Sequence, residues 1–217
     1  LKGIEMLRNR FYWCGNRPGS NANLAIPALA AFFPERAHIA GNIIDMGAKS
    51  GLTCAQIEAD LARAMELPFE GDIAEFISSV DNAEQILYLT DNAGEIVFDR
   101  ILIEHLPHQR ITVVVRGGPV INDATIADTG AVGIDTLARV ITTGDDSPGA
   151  IPERASAEFR TVLAEADVVI AKGQGNLEGL WNEARPIYYL LTVKCERVGR
   201  HLGVPVGDFV VCRQPAA

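Results

Sequence analysis

The spacing of apolar positions changes near residue 81, and that change divides the chain. Through residues 1–81 apolar positions recur at helical spacing. Leu24 to Phe33 is apolar and interrupted by Pro27. Pro34 to Met46 follows, then a helix from Thr53 to about Met65, and one more from Asp72 to Val80. Asn16 to Asn23 and Ala48 to Gly51 are rich in turn residues and read as breaks. This third of the chain is expected to be a helical N-terminal subdomain or cap. The first residue is Leu rather than Met, consistent with a shortened N-terminus.

After residue 81 short β-rich runs alternate with helical patterns. The predicted strands are Ile86–Thr90, Ile111–Arg116, Val140–Thr143, Val168–Lys172, Ile187–Thr192 and Phe209–Arg213. Between them lie predicted helices at Ala93–His105, Asp123–Thr129, Pro152–Ala166, Asn176–Ala184 and Lys194–Leu202. Such alternation implies βαβ units. The class is therefore α/β, with a mainly parallel, doubly wound sheet over residues 82–217.

Composition narrows the function classes. Hydrophobic residues make up 48% of the 217, enough for a full core. No apolar run reaches the ~18 residues of a membrane helix, and residues 1–13 lack a signal-peptide core, so no membrane partner is expected. The net charge of −9 disfavours nucleic acid, whose phosphates call for Lys and Arg, and leaves carboxylates for a metal. The four cysteines, Cys14, Cys54, Cys195 and Cys212, are scattered with no C-x-x-C. That spacing suits reduced thiols in a cytoplasmic protein rather than zinc or disulfides.

A parallel sheet gathers its strand C-termini along one edge, where ligands bind in open α/β sheets. Five such ends carry polar residues here: Thr90-Asp91-Asn92, Arg116 to Thr125, Thr142 to Ser147, Lys172 to Asn176, and Thr192-Val193-Lys194. Asn92 followed three residues later by Glu95 reads as a capping box, with Asp91 favouring the helix dipole. Asp123 and Asn122 read as caps of the next helix. Alternatively Asp91, Asn92 and Asp123 form an oxygen cage suited to Mg²⁺ or Mn²⁺. Lys172 and Lys194 are either solvated lysines or phosphate contacts beside glycine-rich turns and helix N-termini. The convergence of five polar ends on one edge favours the functional reading over isolated caps. In the N-terminal third, Asn42 and Asp45 share one helix face, as a hydrogen-bonded pair or as a face closing over that edge.

Other chemistries fit less well. Gly173-x-Gly175-x-x-x-Gly179 is an imperfect dinucleotide loop, and the acid at the expected distance, Glu196, falls in a predicted helix. There is no G-x-S-x-G, and no H-E-x-x-H or H-x-x-E-H pattern. A phosphoaspartyl nucleophile calls for a second Asp two residues after the first, but Asp91 is followed by Asn92-Ala93.

The segments AGNIID (Ala40–Asp45), DNAGE (Asp91–Glu95), RGGPVINDAT (Arg116–Thr125), KGQGN (Lys172–Asn176) and LLTVKC (Leu190–Cys195) resemble the metal-dependent damage-control phosphatases. That family includes the acidic-residue methyltransferase-like proteins. The resemblance runs from about Ala40 to Cys212. It implies an α/β/α sandwich with a helical N-terminal part. It implies a divalent cofactor, Mn, Co, Ni or Mg, on Asp91, Asn92 and Asp123, and a substrate phosphate on Lys194. Asn42, Lys172, Gly173, Gly175 and Asn176 match the substrate-binding segments. The last motif begins Leu191-Thr192 where some members have Arg-Thr. The implied reaction is hydrolysis of a small phosphorylated metabolite by metal-activated water, with Asp91, Asp123 and Lys194 as catalytic residues. Two alternatives compete: a non-catalytic nucleotide-binding module, and an S-adenosylmethionine-dependent carboxyl methyltransferase. The latter lacks a glycine-rich loop at the first strand.

Overall fold

The computed structural model describes residues 69–70 and 73–214. In chain order the elements are β1 (Phe69–Glu70), α1 (Ile73–Asn82), β2 (Ile86–Leu89), α2 (Ile96–His105), β3 (Ile111–Val115), α3 (Ile126–Val132), β4 (Arg139–Thr142), α4 (Ala157–Glu165), β5 (Val168–Lys172), α5 (Gly173–Gly179), β6 (Ile187–Thr192), α6 (Glu196–Leu202) and β7 (Phe209–Arg213). Short 3₁₀ turns at His108–Arg110 and Ile134–Thr136 precede β3 and β4. The expected cap over residues 1–81 lies outside the described residues up to β1, and so does Asn42.

The sheet order is β1-β7-β6-β5-β2-β3-β4. β2 pairs in parallel with β3 on one side and β5 on the other. The chain winds outward from β2 to β4, then returns to build the other half from β5. β2 therefore stands at the topological switch point, where helices leave the sheet on opposite faces and open a crevice.

The residues of β2 show why the sheet is covered on both sides. Ile86 and Tyr88 pack in one core with Phe76 and Val80 of α1, Ile96 and Phe98 of α2 and Val132 of α3. Leu87 and Leu89 pack in the other with Phe159 and Leu163 of α4, Leu177 of α5 and Val198 of α6. Alternate side chains point to opposite faces, so a strand buried on both sides must be apolar throughout. Each such Leu or Ile contributes about 1.5–3 kcal/mol by leaving water.

The run of parallel neighbours from β4 to β6 ends at β7, which runs antiparallel to β6, with β1 alongside it. After β6, α6 is only a brief excursion. It stops at Gly203 (φ 71°), and the Val193 amide already meets the Asp208 carbonyl at 3.0 Å. The returning strand is thereby seated beside the end of β6, as in a hairpin.

Besides α5, which begins at Gly173 rather than Asn176, three helix starts differ from expectation by three residues or more. α2 begins at Ile96 rather than Ala93, and Glu95 occupies the cap position without a side-chain cap bond. α3 begins at Ile126, because the capping box is Thr125 with Asp128 rather than Asp123 or Asn122. α4 begins at Ala157, where the Ser156 hydroxyl accepts the Phe159 amide at 3.1 Å. In the first two cases the polar residues expected to cap are held in the crevice instead.

Candidate active site

The ends of β2 and β3 are joined by an isolated antiparallel bridge between Asn92 and Asp123. The Ala93 amide donates to the Asn122 carbonyl and the Ala124 amide to the Asp91 carbonyl, both at 2.8 Å. The bridge sets Asp91, Asn92 and Asp123 side by side at the switch point. The Asn92 side chain does not cap a helix. Its Nδ2 donates to Asp91 Oδ2 at 3.0 Å and to Glu95 Oε2 at 3.4 Å, and its Oδ1 accepts from Asn122 Nδ2 at 2.8 Å.

Gly173 closes the third side. Its φ is +77°, and a Cβ there would lie 2.1 Å from Asp91 Oδ2. Only glycine meets both conditions, since L side chains avoid that backbone region and the Asp91 carboxylate fills the space. The other glycines of this turn also pack on protein: a Cβ on Gly175 would sit 3.4 Å from the Pro148 carbonyl oxygen, and one on Gly179 2.2 Å from that of Ala150. Close contacts account for Gly173 and Gly179, whereas a Cβ on Gly175 would make only ordinary contact, and Glu196 is exposed on α6. Both observations weigh against the dinucleotide reading.

Arg116, at the end of β3, is 2% exposed. Its Nε donates to Asp123 Oδ2 at 2.6 Å and its Nη2 to Asn176 Oδ1 at 3.0 Å. Its Nη1 is buried and has no hydrogen-bond partner among the described residues.

Two residues expected to contact the substrate are enclosed in this geometry. Asn176 is fully buried, and its carboxamide is saturated. It donates to the Thr90 and Lys172 carbonyls at 2.9 and 2.7 Å, and accepts from Arg116 and from the Ala150 amide. Two donors and two acceptor positions are thus in use, which is the full capacity of an amide. It ties β2, β3 and β5 together rather than reaching a ligand. Lys172 is likewise 0% exposed, with Nζ on Glu95 Oε1 and, at 2.8 Å, on Asp99 Oδ1. Tyr88 donates to the same Asp99 oxygen at 2.7 Å. A lysine enclosed by two carboxylates beneath the edge is not placed to touch a phosphate.

The electrostatics follow from burial. The Asp91 carboxyl is raised from 3.8 to about 6, first by desolvation; the Lys194 charge opposes this, Asp123 adds to it, and Arg116 and Lys172 oppose it. Asp99 is raised to about 8 by desolvation, against the Tyr88 hydrogen bond and with the Asp91 charge adding. Burial lowers Lys172 well below its ordinary value, with Asp91 opposing. Lys194 itself is exposed, and its backbone amide is held by Gln174 Oε1 at 3.1 Å. Gln174 also reaches Cys195 Sγ at 3.5 Å.

The donor set fits a divalent cation. Asp91, Glu95, Asp99 and Asp123 are four enclosed carboxylates against two enclosed cations, Lys172 and Arg116. When ionised they leave two uncompensated negative charges in a low-dielectric setting, which is costly unless a cation joins them. Oxygen donors of this kind suit Mg²⁺ or Mn²⁺. For Asn92 to offer its oxygen toward Asp91, its carboxamide must turn over, exchanging Nδ2 and Oδ1. Among the described residues no three His, Cys, Asp or Glu side chains form a metal-holding group, and the candidate set is two carboxylates and an amide.

A cleft of about 560 Å³ opens at the opposite edge of the sheet, near Arg110, Ile111 and Arg139. Its arginines are engaged elsewhere: Arg110 with the Asp81 and Ala83 carbonyls, Arg139 with Glu158. The crevice at β2, with its buried charges, is the stronger candidate.

Residues 35–210 match the damage-control phosphatase ARMT1-like domain. The chain belongs to that family. A damage-control phosphatase from Pyrococcus horikoshii is 39% identical over 181 residues, 81% of this chain and 62% of the relative. One from Archaeoglobus fulgidus is 38% identical over 177 residues, 79% of this chain and 61% of the relative. An uncharacterized protein from Methanocaldococcus jannaschii is 42% identical over 186 residues, 82% of this chain and 61% of that protein. The chain thus spans about three fifths of the length of these relatives. The crystal structure of a DUF89 family protein from Pyrococcus horikoshii superposes with a TM-score of 0.75 at 35% identity, covering 99% of this chain and 73% of that one.

Within this damage-control phosphatase domain, four side chains take parts that motif reading missed: Arg116, Glu95, Asp99 and Tyr88. A signal was present for two of them. Glu95 and Asp99 are four apart in a helical pattern whose other inward residues are apolar, which puts two acids on the buried face. No helix among the described residues is long and apolar enough to cross a membrane.

Proposed function

We propose that this chain is a metal-dependent phosphatase that hydrolyses small phosphate monoesters, such as sugar phosphates or damaged phosphorylated metabolites. The observation that carries the reading is the Asn92–Asp123 bridge at the switch point, which sets three oxygen-bearing side chains beside the Gly173 turn. Membership in a family whose relatives are named damage-control phosphatases supports the reaction class.

In this proposal Asp91, Asn92 and Asp123 hold the divalent ion, Mn, Co, Ni or Mg. A divalent ion held there would supply Lewis-acid chemistry, polarising a phosphoryl oxygen and lowering the pKa of a water. Lys194 reaches over the edge to the transferring phosphoryl group, and the amides near Gly173–Gly175 add donors to the developing charge. Asp91, raised toward neutrality by burial, or Asp123 orients the water and takes its proton. Arg116 holds the Asp123 carboxylate in place by donating to one of its oxygens.

The decisive experiment is a phosphate-release screen over sugar phosphates and damaged phosphometabolites, with and without Mn²⁺, beside calorimetry with S-adenosylmethionine and NAD. Release that depends on the ion supports the reading. Binding of either nucleotide cofactor with no release would replace it.

A further inference from the structure

We infer that Lys172 is a positioning residue: through Glu95 it sets the orientation of the Asn92 carboxamide and so prepares the Asp91–Asn92 pair. Three interactions in series carry the inference. Lys172 Nζ is bonded to Glu95 Oε1, Glu95 Oε2 accepts from Asn92 Nδ2, and the same Nδ2 donates to Asp91 Oδ2. Lys172 and Glu95 have 0% exposure, Asn92 4% and Asp91 8%. With one Glu95 oxygen fixed by the ammonium, the other points at Asn92. The carboxamide must then answer with its nitrogen unless a cation lies between. Asn122 Nδ2 holds the opposite end, on Asn92 Oδ1.

Such a chain makes the carboxamide a two-position element. One position has Nδ2 between the Asp91 and Glu95 carboxylates. The other presents Oδ1 there, which places three oxygens together and is favourable only around a cation. Lys172 biases this element by controlling how much negative charge Glu95 presents. Partners behind the first contacts commonly act in this way, and losing them costs metal affinity or activity.

The second arm of the cluster is a built-in control. Asp99 also binds Lys172, and Tyr88 binds Asp99, but neither has a hydrogen bond to Asn92 among those of the described residues. A merely structural ion cluster predicts similar consequences from breaking either arm. A positioning role predicts different ones.

The inference rests in part on the phosphatase reading, so its test includes a readout that needs neither turnover nor metal. The Asn92 side-chain amide resonances would be followed by NMR in ¹⁵N-labelled wild type, Glu95→Gln, Lys172→Met, Lys172→Arg and Asp99→Asn, with Tm, Mn²⁺ titration calorimetry and steady-state kinetics on each. In Glu95→Gln and Lys172→Met the Asn92 amide signals are expected to shift and broaden. Mn²⁺ affinity or kcat should then fall by about 10–100-fold, with KM changing less. Lys172→Arg is expected to recover part of the loss, and Asp99→Asn to leave the Asn92 signals near wild type while lowering Tm. Should Lys172→Met fail to fold, Glu95→Gln against Asp99→Asn decides the matter. Unchanged Asn92 signals in Glu95→Gln, or equal changes from both arms, would overturn the inference. A wild type with ordered Asn92 signals, the expected variant pattern and no phosphate release would overturn the proposed reaction instead.

Discussion

Gly173 and Asp91 occupy the same space: a Cβ on the glycine would lie 2.1 Å from one carboxylate oxygen and 2.7 Å from the other. Strand β5 can approach β2 this closely at their ends only because position 173 has no side chain and adopts φ +77°. Gly173→Ala is therefore expected to lose at least about 2 kcal/mol by combining backbone strain with a clash. It should also lose metal-dependent phosphate release. Chemical denaturation and the release assay measure the two effects, and near wild-type values in both would mean that Asp91 can move away without consequence.

Asp91→Asn separates stability from chemistry. Burial makes the charged form of Asp91 costly, so the neutral amide is expected to unfold within about 0.5 kcal/mol of wild type, or later, in the presence of chelator. Phosphate release with Mn²⁺ is expected to fall by at least about 100-fold, as when a group acting on developing charge is removed. A variant with full activity would remove Asp91 from the metal set.

The carboxyl part of the pH dependence of stability has a defined sign. Asp99 has a folded pKa of about 8, above the ordinary 3.8. Its contribution is fully present below the ordinary carboxylate pKa and is lost as pH rises through about 8, because the folded state holds the proton longer. Asp91, raised to about 6, acts in the same direction over a lower window. Without divalent ions these two carboxyls are expected to favour the fold at pH 5 over pH 8, with a slope of at most about 1.4 kcal/mol per pH unit for each group, against the opposite contribution of Lys172, whose pKa burial lowers. Asp99→Asn should flatten the part between pH 6 and 8. An equal slope over that range in both proteins would contradict the assignment.

Lys194 is exposed and lowers the pKa of Asp91. Lys194→Ala is expected to fold normally, to reduce kcat/KM by about 30-fold, equivalent to about 2 kcal/mol, and to move the acid limb of the pH–rate profile upward. The upward shift is the specific signature, since Asp91 then loses a stabilising positive charge. A drop in rate with a stationary limb would detach Lys194 from Asp91.

Ile121 has φ +47° and is 79% exposed, so its strain is not offset by burial of its side chain. A β-branched residue in that region costs on the order of 1–3 kcal/mol. Ile121→Gly is expected to raise Tm by a few degrees while leaving the Asn92–Asp123 bridge intact. A lowered Tm would mean that the isoleucine side chain makes stabilising contacts beyond the described residues.

The candidate site was partly legible. Asp91, Asn92 and Asp123 each follow a predicted strand, and the fold does bring them together. Capping was the competing explanation for each, and it fails for a physical reason: the helices begin later, at Ile96 and Ile126, with Thr125 doing the capping of α3. The family resemblance makes Lys172 and Asn176 substrate contacts, and in sequence a lysine and an amide at a glycine-rich strand end look alike whether they point up or down. Their partners lie 77 and 86 residues away, in Glu95 and the Thr90 carbonyl. No local spacing encodes that.

What the sequence determined by itself was the alternation of apolar strands with helical patterns, and hence a doubly wound sheet with its polar residues at one edge. Backbone hydrogen bonding and two-sided burial leave a chain so patterned few other solutions. Tertiary structure alone decided which charges at that edge meet water and which are enclosed. That choice depends on how closely β2, β3 and β5 converge beyond their last paired residues. There Gly173 admits the Asp91 carboxylate, Asn176 ties the three strand ends, and Lys172 is buried between two acids, while Lys194 remains at the surface.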